Sequence, residues 1–470
     1  MQSDKVLALY DFASKQRYIY RTSKIREISG ASTLLTERFG RFIDLICDKV
    51  GRLRKALDEP FRMAAFDADQ SIIGEVIYDG GGSLMVLYKS REYYLAANRV
   101  ISLDLLETVP GLSMIASCVP FTGNFSADKK ALYAENSRRK NFYPDFELPT
   151  VIPMTQIDPA TFSPVVRKVT RPELASLSAD RAAKLRAYKA DKSNNLDELE
   201  GLTAVIYIDG NAMGDKLKRC DDSSYDRGVE KLRSFSRQVD ECFVQKPLAA
   251  IKEAVQGGGF RKVIGGGDEI TVICKAELAW DILCAYYDAL DKCRLRLPGS
   301  GPDGEACTAC AGIAVFHAKT PFDLTDAIAE AACENAKKRA HREDNCCCVD
   351  FYYCHTGVTN SFDFLRDYEQ AHTTGRPYRF DEAKVQFSKY APLLNAAGRA
   401  NVKALGESAQ ESFERYQFEV RRVNAYLGKD REFKTNDREE MKIVYDMSEF
   451  YDIWFAKKGG TPNAAAQDHT

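Results

Sequence analysis

The chain repeats itself, and that repeat limits its fold more than any other feature. Residues 5–11, KVLALYD, and 203–209, TAVIYID, are apolar runs that end in an aspartate. Further along each half come a strand, a glycine triplet and a second strand: EVIYDGGGSLMVLYK at 75–89 and RKVIGGGDEITVICK at 261–275. Between these landmarks lie stretches with apolar residues at helical spacing, 23–57 and 223–255. After each hairpin the pattern predicts a helix, from Arg91 and from Glu277, and then a strand, near Leu112 and near Ala306. Both halves therefore read strand, helix, helix, strand, strand, helix, strand. That is the order of a ferredoxin-like palm, an antiparallel sheet with helices on one face. The second half runs on into a helix at 324–342 and a strand, CCCVDFYY.

The expected fold class is α+β, with two palms and a helical C-terminal domain. The boundaries read as a first palm over 1–126, a connecting insert over 127–200, a second palm over 201–357, a charged helical domain over 358–458 and a disordered tail over 459–470. At 470 residues there is enough chain for several cores, and 45% hydrophobic residues are enough to fill them. A net charge of -2 gives no global field to recruit nucleic acid. The N-terminus has no basic start followed by a long apolar run, and no stretch approaches the roughly eighteen apolar residues of a membrane span, so a cytoplasmic address without membrane contact is expected. Three of the fourteen cysteines, Cys346, Cys347 and Cys348, are adjacent in what reads as a buried strand. Neighbours on a strand face opposite ways, which suits a reducing compartment rather than a disulfide framework. Cys307 and Cys310 form a CxxC without a second pair, so they read as core and not as a zinc site.

The chemistry lies in the second repeat. Asp209 ends a buried strand, and Asp268 and Glu269 sit at the tip of a hairpin that a palm places beside it. Three converging carboxylates repel one another unless cations intervene, and hard divalent ions with oxygen ligands, Mg2+ or Mn2+, suit phosphoryl transfer. Gly265, Gly266 and Gly267 would let a triphosphate approach the backbone, and Asp209-Gly210-Asn211-Ala212-Met213-Gly214 adds glycines directly after the strand. A tight turn with solvated acids is the bland alternative.

IDGNAMG followed by GGGDEI resembles the palm of the nucleotidyl cyclase superfamily, which includes GGDEF diguanylate cyclases, and most of all the large polymerase subunit of type III CRISPR complexes. The first half echoes that subunit in Gln16 to Tyr20 and in KIREISGAS from Lys24. CAGIAVFHAKTPF from Cys310, AKKRAHREDN from Ala336 and RPY from Arg376 are further echoes. The resemblance implies an ATP-using, magnesium-dependent nucleotidyltransferase that makes cyclic oligoadenylate messengers in antiviral defence, with other effector subunits and guide RNA as partners and a homodimer as a further expectation. It implies Asp209, Asp268 and Glu269 as catalytic and metal-binding acids. Gly210, Asn211, Gly214, Gly266, Gly267, Lys337 and Lys338 would contact nucleotide. Ser32, Gly81 and Gly82 would hold an acceptor nucleotide in a first palm that keeps Asp11 but has no hairpin acids.

The match has departures. Glu269 replaces a second aspartate, no His is followed by Asp as an HD nuclease requires, and 127–200 contains neither Cys nor His for a zinc ribbon. Neither His317 nor His341 is needed for such chemistry. Arg138, Arg139 and Lys140 beside Phe142 read as a solubilising loop with some capacity for RNA. A diguanylate cyclase using GTP is one alternative, although the run after Asp209 lacks the guanine-reading pattern. A catalytically silent scaffold subunit is the other.

Overall fold

The computed structural model describes residues 4–22, 24–142, 155–165, 176–189, 201–256, 258–354, 362–428 and 432–456. The tail and three stretches of the connecting insert, 143–154, 166–175 and 190–200, lie outside them. The first half contains β1 (Val6–Ala13), α1 (Lys15–Ile19), α2 (Ile25–Lys49), β2 (Leu53–Arg54), α3 (Met63–Ala68), β3 (Gly74–Gly80), β4 (Ser83–Tyr88), α4 (Arg91–Thr108), β5 (Ser113–Pro120) and α5 (Phe125–Asn141). A short α6 (Ala179–Ala187) precedes the second half: β6 (Leu202–Gly210), α7 (Met213–Arg219), α8 (Tyr225–Val239), α9 (Lys246–Ala254), β7 (Phe260–Gly266), β8 (Glu269–Lys275), α10 (Ala279–Leu290), β9 (Arg294–Leu295), β10 (Glu305–Ala306), β11 (Ala309–His317), α11 (Phe322–Ala340) and β12 (Cys348–Tyr353). The C-terminal part holds α12 (Phe362–His372), β13 (Tyr378–Arg379), α13 (Phe380–Ala397), α14 (Arg399–Glu411), α15 (Phe413–Leu427) and α16 (Arg438–Glu449).

Among the described residues two large sheets form, in the orders β2-β3-β4-β1-β5 and β13-β12-β11-β6-β8-β7, and β9 and β10 make a separate two-stranded pair. Their central pairings are antiparallel, so the mixed α+β palm class holds for both halves. The repeat extends to backbone detail. Asp11 pairs with Ser83 across β1 and β4, and Asp209 pairs with Glu269 across β6 and β8. Each hairpin has a register irregularity at the corresponding place, between Val76 and Tyr78 and between Lys262 and Ile264. Each first strand turns into its helix through a left-handed residue, Ser14 at φ 52° and Ala212 at φ 55°.

Alternation along β1 sends Ala8, Tyr10 and Phe12 into the core under α2 and α4, and Leu7 and Leu9 into a second core with Phe125 and Leu132 of α5. Tyr225, Val229 and Leu232 of α8 join that second core, so a helix of the second half covers the first sheet. Arg233 of α8 is buried there and donates to the carbonyls of Val76 (2.7 Å) and Ile77 (3.0 Å). In the other direction, Arg261 on β7 donates to Ser29 Oγ of α2 at 2.7 Å. The halves are locked together by these reciprocal contacts.

The expected insert boundary at 127 falls inside α5, which packs on β5 and β1 as α11 packs on β11 and β6. The described part of the insert is clamped to α2. Arg181 donates to both Glu27 oxygens and to Asp158, and any side chain at Gly30 would strike the Lys184 carbonyl. The cysteine run is a correction: β12 begins at Cys348, and Cys346 and Cys347 lie in the irregular connection between the turn after α11 and the strand. All fourteen cysteines are free thiols, and Cys307 and Cys310 are buried core residues. Arg376 of the RPY run is buried against Asp446 (3.0 Å) and Glu449 (2.6 Å) of α16, which ties the C-terminal helices to the second sheet. Among the described residues no helix is long and apolar enough to cross a membrane.

Candidate active site

Strand alternation decides where each acid points. On β6, Ala204, Ile206 and Ile208 enter the core beneath α10, so Asp209 emerges on the opposite face, under α11. Its cross-strand partner Glu269 shares that face, while Asp268 occupies the hairpin turn one residue earlier. Gly210 is obligatory at this corner: a Cβ there would lie 2.9 Å from Asp268 Cβ and 3.0 Å from Met213 Cε. The close approach brings Asp268 against Asp209. Burial first, and the Asp209 charge second, push the Asp268 carboxyl up to about 7. Glu269 is also raised, by burial and then by Asp209.

Lys337, in the last turn of α11, donates to Asp209 Oδ2 at 2.5 Å and to Glu334 at 3.1 Å. Burial, the largest single influence, works against its charge, but the bond to Asp209, the Asp209 charge and the bond to Glu334 together outweigh it and leave its pKa raised. Asp326 and Glu330, on the same helix, add further acid near Glu269, and burial pushes Asp326 up to about 7. The edge is therefore short of positive charge. Among the described residues no group of three or more His, Cys, Asp or Glu side chains is arranged to enclose a metal ion. Two crowded carboxylates with oxygen donors still fit magnesium, which is commonly held by one or two carboxylates together with substrate phosphates.

Beside these acids a cavity of about 710 Å³ opens between the two halves. Both glycine triplets line it, 80–82 from one hairpin and 265–267 from the other, together with Ser32, Lys15, Lys140 and Glu269. The hairpin tips meet, since a Cβ on Gly266 would lie 3.9 Å from the Gly81 Cα. Of the residues expected at the site, Ser32, Gly81, Gly82, Gly266, Gly267 and Glu269 come together on the cavity wall. Asp209, Asp268, Gly210 and Lys337 form the adjoining acid corner. Asn211 is buried and donates to the carbonyls of Asn345 (3.1 Å) and Cys346 (2.9 Å), bracing the turn before β12. Gly214 has open space around it, and Lys338 is exposed on α11.

Lys15 and Lys140 are the site residues that the motifs missed. Lys140 lies in the basic run read as a solubilising loop, yet its Nζ is 2.5 Å from Asp11 Oδ2. The clue was there, because Glu-Asn followed by a basic run occurs at Glu135-Asn136 and again at Glu334-Asn335.

Residues 202–346 match the sequence model of the Cas10/Cmr2 second palm domain. No curated protein matches the chain by sequence. Among solved structures, a Csm1-Csm4 cassette in complex with cA4 superposes with a TM-score of 0.57 at 14% identity, over 95% of this chain and 70% of that one. A cassette with pppApApA gives 0.59 at 12% identity over 96% and 69%, and one with AMPPNP gives 0.56 at 15% over 95% and 70%. At such identities the structural likeness establishes the fold. The family match concerns residues 202–346, which are similar to a Cas10/Cmr2 second palm domain; over the rest of the chain the solved structures show the shared fold.

Proposed function

We propose that this Cas10-like chain is a nucleotidyltransferase that joins ATP into cyclic oligoadenylate-type messengers in antiviral defence, with Asp209, Asp268 and Glu269 as its working acids. The observation that carries the reading is the crowded Asp209 and Asp268 pair, held at the edge of a Cas10/Cmr2-type palm beside a cavity walled by two glycine triplets. Solved relatives in complex with AMPPNP, pppApApA and cA4 lend it support.

In this reading Asp209 and Asp268 hold magnesium or manganese, which when bound supplies Lewis-acid polarisation of a phosphate oxygen. The chain's own residues do the rest. The bare backbone of 265–267 leaves room for phosphates, Lys337 balances the Asp209 charge, and Glu269 faces the cavity from the second palm. Ser32, Gly81 and Gly82 border the acceptor side, and the gain in rate comes mainly from orienting one nucleotide against the other. The first palm runs through α5, and the two palms of one chain supply the pairing that single-palm cyclases obtain from a second copy. Other effector subunits and guide RNA are the proposed partners, and the cytoplasm the proposed location.

The test is to incubate purified protein, with and without co-purifying RNA and partner subunits, with Mg2+ or Mn2+ and each nucleotide separately, and to identify products by mass spectrometry. Adenylate rings from ATP are expected. Cyclic di-GMP from GTP alone would support the diguanylate cyclase alternative, and no turnover in the RNA-loaded complex would support a scaffold.

A further inference from the structure

The same corner carries opposite charge in the two palms. In each, a strand aspartate faces a hairpin residue across the sheet, Asp11 opposite Ser83 and Asp209 opposite Glu269. In each, a left-handed residue then opens a helix, whose first residue is Lys15 in one palm and Met213 in the other. The residue before Glu269 is Asp268; the residue before Ser83 is Gly82. In the second palm Met213 Cε and Asp268 crowd Gly210. In the first, the space of the missing side chain at Gly82 is filled by the Lys15 ammonium, which a Cβ there would strike. Lys15 Nζ donates to the Gly81 carbonyl at 3.3 Å and lies 3.7 Å from Asp11 Oδ1, while Lys140 takes the other Asp11 oxygen at 2.5 Å. Three carboxylates (Asp209, Asp268 and Glu269) and one ammonium (Lys337) in the second palm thus become one carboxylate and two ammoniums in the first.

Both ammoniums are partly exposed and line the cavity between the palms. Of the three acids on its wall, Glu269 interacts with Lys15 from across the cavity, Asp79 is engaged by Lys55 at 2.6 Å, and Asp240 accepts from Gln245 Nε2 at 3.2 Å. Burial depresses the Lys15 pKa, a strain on the charged form that an anion would relieve.

We propose that the first palm is a metal-independent anion site, in which Lys15, standing where the second palm has a carboxylate, and Lys140 hold the triphosphate of a nucleotide. The proposal rests on the nucleotide-binding reading of the cavity. Ammonium groups bind phosphate as compact point charges, so this site needs no divalent ion, whereas the second palm does.

The test is equilibrium binding of inorganic tripolyphosphate and of ATP to the full chain, in EDTA and then in Mg2+. In EDTA the wild type is expected to bind tripolyphosphate, with affinity that falls as salt rises. Lys15→Met, the residue the second palm uses here, should weaken that binding tenfold or more, and Lys15→Arg should largely retain it. Asp268→Asn should leave binding in EDTA unchanged and remove the additional ATP binding that Mg2+ brings. Magnesium-dependent ATP binding preserved in Lys15→Met shows that the variant is folded. No binding in EDTA, or equal binding by wild type and Lys15→Met, overturns the anion site. Loss of only the magnesium-dependent component from wild type overturns the catalytic reading instead.

Discussion

Gly81 and Gly267 stand back to back where the two hairpins meet: a Cβ on Gly267 would lie 3.7 Å from the Gly81 Cα. Gly267 also has φ 69° and Gly81 φ 57°, the left-handed region that a side chain resists. Gly267→Val should therefore cost about 1–2 kcal/mol in backbone strain and push the palms apart at the cavity. Gly266→Ala, with 3.9 Å of clearance and no such φ, should be tolerated better. Thermal unfolding and ATP turnover of the two variants check this, and equal behaviour would contradict it.

Asp268 provides the pH test. Its carboxyl is raised from an ordinary carboxylate value to about 7 by burial and then by Asp209. The folded state therefore binds this proton more tightly than the unfolded chain. The stability it contributes is fully present below about pH 4, falls as pH rises, and is lost above about pH 7. In metal-free protein, Asp268→Asn should raise stability at pH 8 by an amount on the order of a few kcal/mol and change little at pH 4, while turnover is abolished. Denaturant titrations at the two pH values measure it, and a penalty at pH 8 would refute the like-charge account.

Lys337 is the cation of the acid corner, with its Nζ 2.5 Å from Asp209. Lys337→Met should destabilise metal-free protein by about 1.5–3 kcal/mol, since it leaves two carboxylates without their partner. Added Mg2+ should recover part of that loss, as a melting curve with and without the ion would show. An equal loss in both conditions would mean that the ion does not bind these acids.

The two strand aspartates should differ in catalysis. Asp11 is already engaged by Lys140, Lys15 and Asn136, so Asp11→Asn should retain most activity. Asp209→Asn should lose roughly a hundredfold or more, in line with removing a preorganised charge-stabilising group. Equal losses in folded proteins would show that both palms work alike.

Arg376 is buried with Asp446 and Glu449, so Arg376→Met should strand two acids and cost about 3–5 kcal/mol. Limited proteolysis should then release the C-terminal helices before the sheets unfold. A variant as resistant as wild type would contradict that anchoring role.

Much of this protein could be read from its sequence because the informative signals are local. Apolar alternation, helical spacing and glycine triplets record strand, helix and turn, and their repetition at Asp11 and Asp209 set the order of both palms. The acid corner followed, since a strand that ends in Asp209 and a hairpin tipped by Asp268 must be neighbours in that order. What lay beyond the sequence was how distant elements cross. That Lys140 and Lys337 turn back onto the strand aspartates, that Lys15 fills the place of an absent side chain at Gly82, that α8 covers the other half's sheet through Arg233, and that Arg376 seeks out Asp446 depend on long-range packing. A lysine on a helix has the same local pattern whether it ends in water or on a carboxylate, and only the tertiary approach of the two elements decides which.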